Sequence, residues 1–256
     1  MNNTARLQPE LVIALDNCTV DEARSLTREL ADAGVSWFKV GLELYTQAGP
    51  SLVSDLKKNG FHVFLDLKLY DIPNTVAKAV KAASATGADL LTIHTSGGSE
   101  MMLAAQDAAK GTALSLLGVT VLTSFGGSGF DELCTAWGAR AGTSVPRGAV
   151  VLRLAEMANA AGLPGIVCSA SDLFDGELKK ISWSSTPLFV TPGIRNSADS
   201  RDDQKSIATV EQAVRLGSSH LVVGRPITAP GKGSRAQAAM EFLRQIKEAY
   251  VVSSHP

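Results

Sequence analysis

Asp66-Leu67-Lys68-Leu69-Tyr70-Asp71 sets an amine between two carboxylates within one short run. Side chains alternate along an extended chain, so Asp66 and Lys68 share one face while Leu67 and Leu69 share the other. If the leucines pack against neighbouring elements, the charged pair faces an interior where ions are costly unless paired. Two uses fit. One is a structural ion pair closing the end of a sheet. The other is an alternating cluster, Lys39/Asp66/Lys68/Asp71, that keeps a lysine protonated as a proton donor; the cost of interior charge favours this second use.

Other reactive residue types offer less. Cys18, Cys134 and Cys168 are widely separated and form no CxxC pair or Cys/His cluster, so neither a disulfide framework nor a zinc site is expected. Gly126-Gly127-Ser128-Gly129 lacks the lysine of a phosphate loop, and Gly231-Lys232-Gly233-Ser234 has the wrong spacing. His94 reads as a hydrogen-bonded structural residue, and His62 and His220 fall at strand starts. No metal is expected.

The elements that must position the charged residues follow a regular rhythm. Short apolar or β-branched runs occur at Leu11–Asp16, Trp37–Gly41, His62–Lys68, Asp89–His94, Leu116–Leu122, Gly165–Ser169, Leu188–Thr191 and His220–Gly224. Helical spacing fills most of the intervals, over Val20–Ala33, Thr75–Thr86, Glu100–Ala109, Val150–Ala161, Thr209–Leu216 and Arg235–Tyr250. Strands alternating with helices require crossovers and hence a parallel sheet. A doubly wound open sheet is the alternative, but the first strand ends in Leu15-Asp16-Asn17-Cys18 without a glycine-rich phosphate turn. The expectation is a single α/β domain over residues 1–256, a closed (β/α)8 barrel of the TIM type. Thr123–Arg147 is the one irregular stretch, with a short helix expected around Phe130–Trp137.

Composition is that of an ordinary soluble globular protein and names no function. Of 256 residues 45% are hydrophobic and 19% charged, and Lys+Arg 24 against Asp+Glu 25 leaves a net charge of −1. That balance gives no broad basic surface for nucleic acid. The longest apolar stretches, such as Leu114–Leu122, fall well short of the roughly 20 residues of a membrane span. Met1–Glu10 lacks the layout of a signal peptide, so a reduced, cytoplasmic setting is expected.

A barrel of this type carries its active site at the C-terminal ends of its strands. Those ends hold Asp16, Lys39, Asp66 with Lys68, His94, Thr123, the run Thr191-Pro192-Gly193-Ile194-Arg195, and Gly224-Arg225. Charge is concentrated where chemistry belongs.

At this point the motifs resemble a known family. Asp66 through Thr75 reads DLKLYDIPNT and is similar to the DxKxxDIPNT signature of orotidine 5′-phosphate decarboxylases. Ala14-Leu15-Asp16, Phe38-Lys39-Val40-Gly41, Val121-Leu122-Thr123-Ser124, Val190 through Arg195, Asp203-Gln204 and Val223-Gly224-Arg225-Pro226-Ile227 follow in that family's order. DxKxxD alone is shared by sister phosphosugar barrels, including metal-dependent decarboxylases and aldolases; the DIPNT extension is the discriminating part.

The resemblance implies cofactor-free conversion of orotidine 5′-phosphate to uridine 5′-phosphate and carbon dioxide, the last step of pyrimidine nucleotide (UMP) synthesis. It implies Lys68 as proton donor, Asp66 beside the departing carboxylate, and Lys39 and Asp71 fixing Lys68 and contacting the ribose. It implies Asp16 and Thr75 at the ribose, Thr123 at the pyrimidine, and Arg195, Gln204, Gly224 and Arg225 at phosphate and pyrimidine. Asn196–Asp203 would be a lid. Asp71–Thr75 would reach a neighbouring subunit's site, making the protein a homodimer with shared active sites.

Overall fold

The computed structural model describes residues 7–125, 128–140, 142–195 and 208–254. In chain order the first half runs β1 (Glu10–Ala14), α1 (Val20–Asp32), β2 (Trp37–Gly41), α2 (Leu42–Ala48), α3 (Pro50–Lys58), β3 (His62–Leu69), α4 (Pro73–Ser84), β4 (Leu90–His94) and α5 (Gly98–Ala109). The second half runs β5 (Ser115–Val119), α6 (Ser128–Ala136), α7 (Arg147–Ala160), β6 (Gly165–Val167), α8 (Glu177–Lys180), β7 (Leu188–Pro192), α9 (Val210–Leu216), β8 (His220–Val223), α10 (Arg225–Thr228) and α11 (Arg235–Ser254). Each strand pairs in parallel with the next and β8 returns to β1, closing the expected eight-stranded barrel.

Helix boundaries follow local chemistry. Thr19 caps α1 by accepting from the Glu22 N–H, while the Glu22 carboxylate accepts from the Thr19 N–H at 2.7 Å. The β2–β3 crossover is two helices where no helical segment was expected. Gly49 at φ +64° ends α2 and Pro50 starts α3. Several strands stop short of their expected ends. β5 finishes at Val119 and leaves Leu122-Thr123 to the rim, and β6 finishes at Val167. Apolar character outlasts pairing there, because the chain stays buried as it bends over the barrel mouth. The short helix expected near Phe130–Trp137 is α6.

Two apolar layers hold the barrel. Val12, Ala14, Phe64, Leu90, Leu117, Val190 and Val222 fill its interior. Leu11, Ile13, Leu65, Leu91, Ile93 and Leu221 alternate with them and pack outward against the helices. Full burial of each such side chain contributes about 1.5–3 kcal/mol. On β3 the inward row that begins with Phe64 continues into Asp66. The site is therefore the polar top of an apolar stack.

The opposite end is closed by Trp37, stacked on His62 at 4.6 Å and met edge-on by His220 at 5.0 Å. His62 Nδ1 lies 3.1 Å from Asp89, which also accepts from Lys57 at 2.7 Å. Burial, and then the charge of His62, lower the His220 pKa to about 4. Ser219 Oγ sits 3.0 Å from its Nδ1, and Glu10 lies beside it in the β1–β8 register. The unfolded chain binds this proton near pH 6.5 and the folded chain near 4. Stability from His220 is thus complete above pH 6.5 and lost as pH falls towards 4, by on the order of 3 kcal/mol. His94, also lowered by burial, acts in the same direction. Urea midpoints between pH 7 and 4 should fall for the native chain and fall less for His220→Gln; identical slopes would refute the assignment.

Candidate active site

β3 carries the site, and it does so irregularly. Leu65 pairs with Leu91 but Leu69 pairs with Ile93, so β3 holds more residues than β4 across this span. Lys68 lies inside the bulge at φ +48°, a left-handed conformation rare for a side-chain-bearing residue. Such strain clusters at functional sites. Its N–H donates to Thr92 Oγ1 at 2.8 Å. Asp66 and Lys68 do face one cavity, as alternation predicts, but a bulge rather than a regular pleat brings them there.

The charges form a tight array. Lys68 Nζ donates to Asp66 Oδ2 at 2.7 Å, Lys39 Nζ lies 3.8 Å from that oxygen and donates to Asp16 Oδ1 at 2.8 Å. Thr92 Oγ1 donates to Asp66 Oδ1 at 3.0 Å. Burial pushes the Asp66 carboxyl up, yet the Lys39 and Lys68 charges and the hydrogen bonds from Lys68 and Thr92 prevail and hold it below the usual carboxylate range. Gly41 permits the Lys39–Asp16 contact, since a Cβ there would stand 3.0 Å from both Asp16 Oδ1 and Lys39 Nζ.

A cavity of about 470 Å³ opens above the array, ample for a nucleotide-sized ligand. Asp16, Lys39, Asp66, Lys68, Thr123, Arg195, Gly224 and Arg225 all line it, as expected. Arg195 is buried, and its N–H donates to the Ala208 carbonyl at 3.0 Å. The Thr123 wall is anchored by Arg147, which donates to the Val121 carbonyl at 3.2 Å and pairs with Asp172. That pairing fastens the far end of the irregular Thr123–Arg147 excursion to the rim. Among the described residues no group of three His, Cys, Asp or Glu side chains is placed to hold a metal ion.

Two expected residues, Asp71 and Thr75, are not in the cavity of this chain. Asp71 is exposed and accepts the N–H of Ile72 at 2.7 Å, and Thr75 is exposed in the first turn of α4. Within one chain, the array that assembles is Asp16/Lys39/Asp66/Lys68, and Asp71 stands apart from it. The reason is local: the chain leaves the barrel after Leu69 and Asp71 turns onto its own backbone. Gln204, with the whole Asn196–Asp203 segment, lies outside the described residues. His94 does not line the cavity and packs on Tyr70 at 5.7 Å.

Sequence reading missed Thr92, Gly41 and Asn17, the last at φ +56° beside the cavity. A signal existed for Thr92. It is the one polar residue in Leu90-Leu91-Thr92-Ile93, on the inward parity set by Leu90.

Residues 9–242 match the orotidine 5′-phosphate decarboxylase / HUMPS family. The chain belongs to this family. It is 43% identical over 240 residues to the orotidine 5′-phosphate decarboxylase of Saccharophagus degradans, covering 92% of this chain and 96% of the relative. It is 40% identical over 247 residues to that of Carboxydothermus hydrogenoformans, covering 94% and 97%. The crystal structure of the Lactobacillus acidophilus orotidine 5′-phosphate decarboxylase superposes with a TM-score of 0.76 at 34% identity, covering 94% of this chain and 99% of that one. The protein is accordingly an enzyme of the decarboxylase class, a carboxy-lyase. The decarboxylase signature divides in space: Asp66 and Lys68 stand in the cavity, whereas Asp71 and Thr75 stand outside it. No helix among the described residues is long and apolar enough to cross a membrane.

Proposed function

We propose that this single-domain cytoplasmic enzyme converts orotidine 5′-phosphate to uridine 5′-phosphate and carbon dioxide, completing pyrimidine nucleotide synthesis without a cofactor. The observation that carries the reading is the Lys39–Asp66–Lys68 array at the floor of a nucleotide-sized cavity. The ring carbon–carboxylate bond breaks, carbon dioxide leaves, and the electron pair stays on the ring carbon. Lys68 Nζ gives that carbon its proton and is recharged from solvent.

Magnitudes assign the work. Repulsion between Asp66 and a substrate carboxylate about 4 Å away is worth roughly 4 kcal/mol at an effective dielectric near 20. Enzymic acceleration of a very slow reaction can demand on the order of 20 kcal/mol. Repulsion is a minor part. The preorganised Lys68 ammonium, stabilising charge that develops only as the bond breaks, supplies more. Binding away from the breaking bond supplies the rest: Arg195, Gln204, Gly224 and Arg225 at the phosphate and pyrimidine, Asp16 and Lys39 at the ribose, Thr123 at the pyrimidine.

The outward placement of Asp71 and Thr75 supports a homodimer in which these residues complete the partner's cavity. Tyr70 and Ile72, 60% and 66% exposed, flank Asp71 and give that segment an apolar face to bury. One experiment tests both claims. The purified chain is sedimented through orotidine 5′-phosphate while the loss of substrate absorbance is followed. The band of activity should travel at the rate of two chains. No absorbance loss would refute the reaction, and a moving front of single chains would refute the shared site.

A further inference from the structure

We propose that Thr92 is a positioning residue for the reaction, holding the donor lysine by its backbone and the neighbouring carboxylate by a side-chain bond at once. The inference rests on the decarboxylase reading above.

Thr92 is fully buried on β4 and points towards the bulge in β3. A hydroxyl has one proton to donate and two lone pairs to accept with. The Lys68 N–H occupies one lone pair at 2.8 Å, and the hydroxyl proton is directed to Asp66 Oδ1 at 3.0 Å. The other Asp66 oxygen receives Lys68 Nζ at 2.7 Å. A closed ring results: Lys68 backbone, Thr92 hydroxyl, Asp66 carboxylate, Lys68 ammonium. Both ends of the lysine are fixed by groups that are themselves tied together.

The ring accounts for two features. Lys68 sits at φ +48° inside a register shift, where its N–H is not part of the β3–β4 ladder; Thr92 gives that N–H an acceptor. Asp66 is a buried carboxylate kept ionised by the ammoniums of Lys39 and Lys68, and Thr92 donates to the oxygen that Lys68 does not occupy. A displacement of the ammonium by about 1 Å can cost on the order of 100-fold in rate.

Thr92→Val keeps the shape and removes the hydroxyl, while Thr92→Ser keeps the hydroxyl. For Thr92→Val, kcat on orotidine 5′-phosphate should fall roughly 10- to 100-fold, with KM and uridine 5′-phosphate affinity within about threefold of native. The acid limb of kcat should move to higher pH, because the ionised Asp66 has lost a donor. The charged or titratable groups facing Asp66 and Lys68 are Lys39, Asp16 beyond it, and His94, and all are unchanged in the variant. Thr92→Ser should restore kcat and the native acid limb.

Unchanged kcat in Thr92→Val, or a loss that serine does not rescue, would overturn the proposal. So would a change confined to KM. If valine prevents folding, Thr92→Cys takes its place with the same expectations, because a thiol is a weak donor and a poor acceptor. A native enzyme that does not turn over orotidine 5′-phosphate refutes the underlying reading together with the inference; an active native enzyme matched by Thr92→Val refutes the inference alone.

Discussion

Lys68→Ala should lower turnover of orotidine 5′-phosphate by at least about 10⁴-fold while leaving the barrel folded. Positioned general acids contribute about 10²–10⁴-fold, and removing one preorganised donor from a developing anion costs a further 10²–10³. In the proposed mechanism Lys68 supplies both: the same Nζ that holds Asp66 at 2.7 Å belongs to a side chain lining the cavity. The side chain is partly exposed, at 31%, and lies outside both apolar layers, so truncation leaves no cavity in the core. Uridine 5′-phosphate should still bind within about tenfold, since the proposed phosphate and ribose contacts do not involve Lys68. Circular dichroism and product titration check the fold and the binding. A residual rate within tenfold of native would remove Lys68 from the donor role.

Asp66→Asn should produce the second largest loss, on the order of 10³-fold in kcat, with a different signature. The carboxylate lies between two ammoniums, accepting from Lys68 and standing 3.8 Å from Lys39. Neutralising it leaves those positive charges facing each other and leaves Lys68 poorly aimed. The same change removes the negative charge that a substrate carboxylate would meet. Substrate should therefore bind as well or better while turnover collapses, so that KM falls with kcat, the pattern expected when ground-state strain is removed. Steady-state kinetics decide it. A rise in KM with kcat preserved would make Asp66 a binding group only.

Both predictions depend on features that sequence and structure reveal to different degrees. The barrel was legible because eight apolar runs, each bounded by turn or cap chemistry, repeat with helices between them, and the pairing follows chain order. Asp66, Lys68, Lys39 and Asp16 were legible because charge on the inward parity of a buried strand needs a purpose. The bulge at Lys68 was not. Strand periodicity assumes one register, and nothing in Asp66-Leu67-Lys68-Leu69 announces that Leu69 will pair with Ile93. For the same reason Thr92 escaped notice, since its partners are set by that shift. Helices α2 and α3 were missed because a Gly-Pro pair marks a helix end and a helix start as readily as a loop.

Asp71 teaches a related lesson. Asp71 follows Lys68 by three residues, yet one turn of backbone separates a residue at the cavity floor from one at the surface. The family signature therefore describes two places: a floor formed by Asp66 and Lys68, and an exposed edge formed by Tyr70 through Thr75.

The central claim is that the chain's own lysine–carboxylate array breaks the ring carbon–carboxylate bond. Its most direct measurement is the initial rate of orotidine 5′-phosphate consumption by the purified native protein, before and after exhaustive treatment with a metal chelator. The prediction is sustained turnover to uridine 5′-phosphate at the same rate in both. Activity that vanishes on chelation and returns only with a divalent ion, or no consumption of orotidine 5′-phosphate at all, would contradict it.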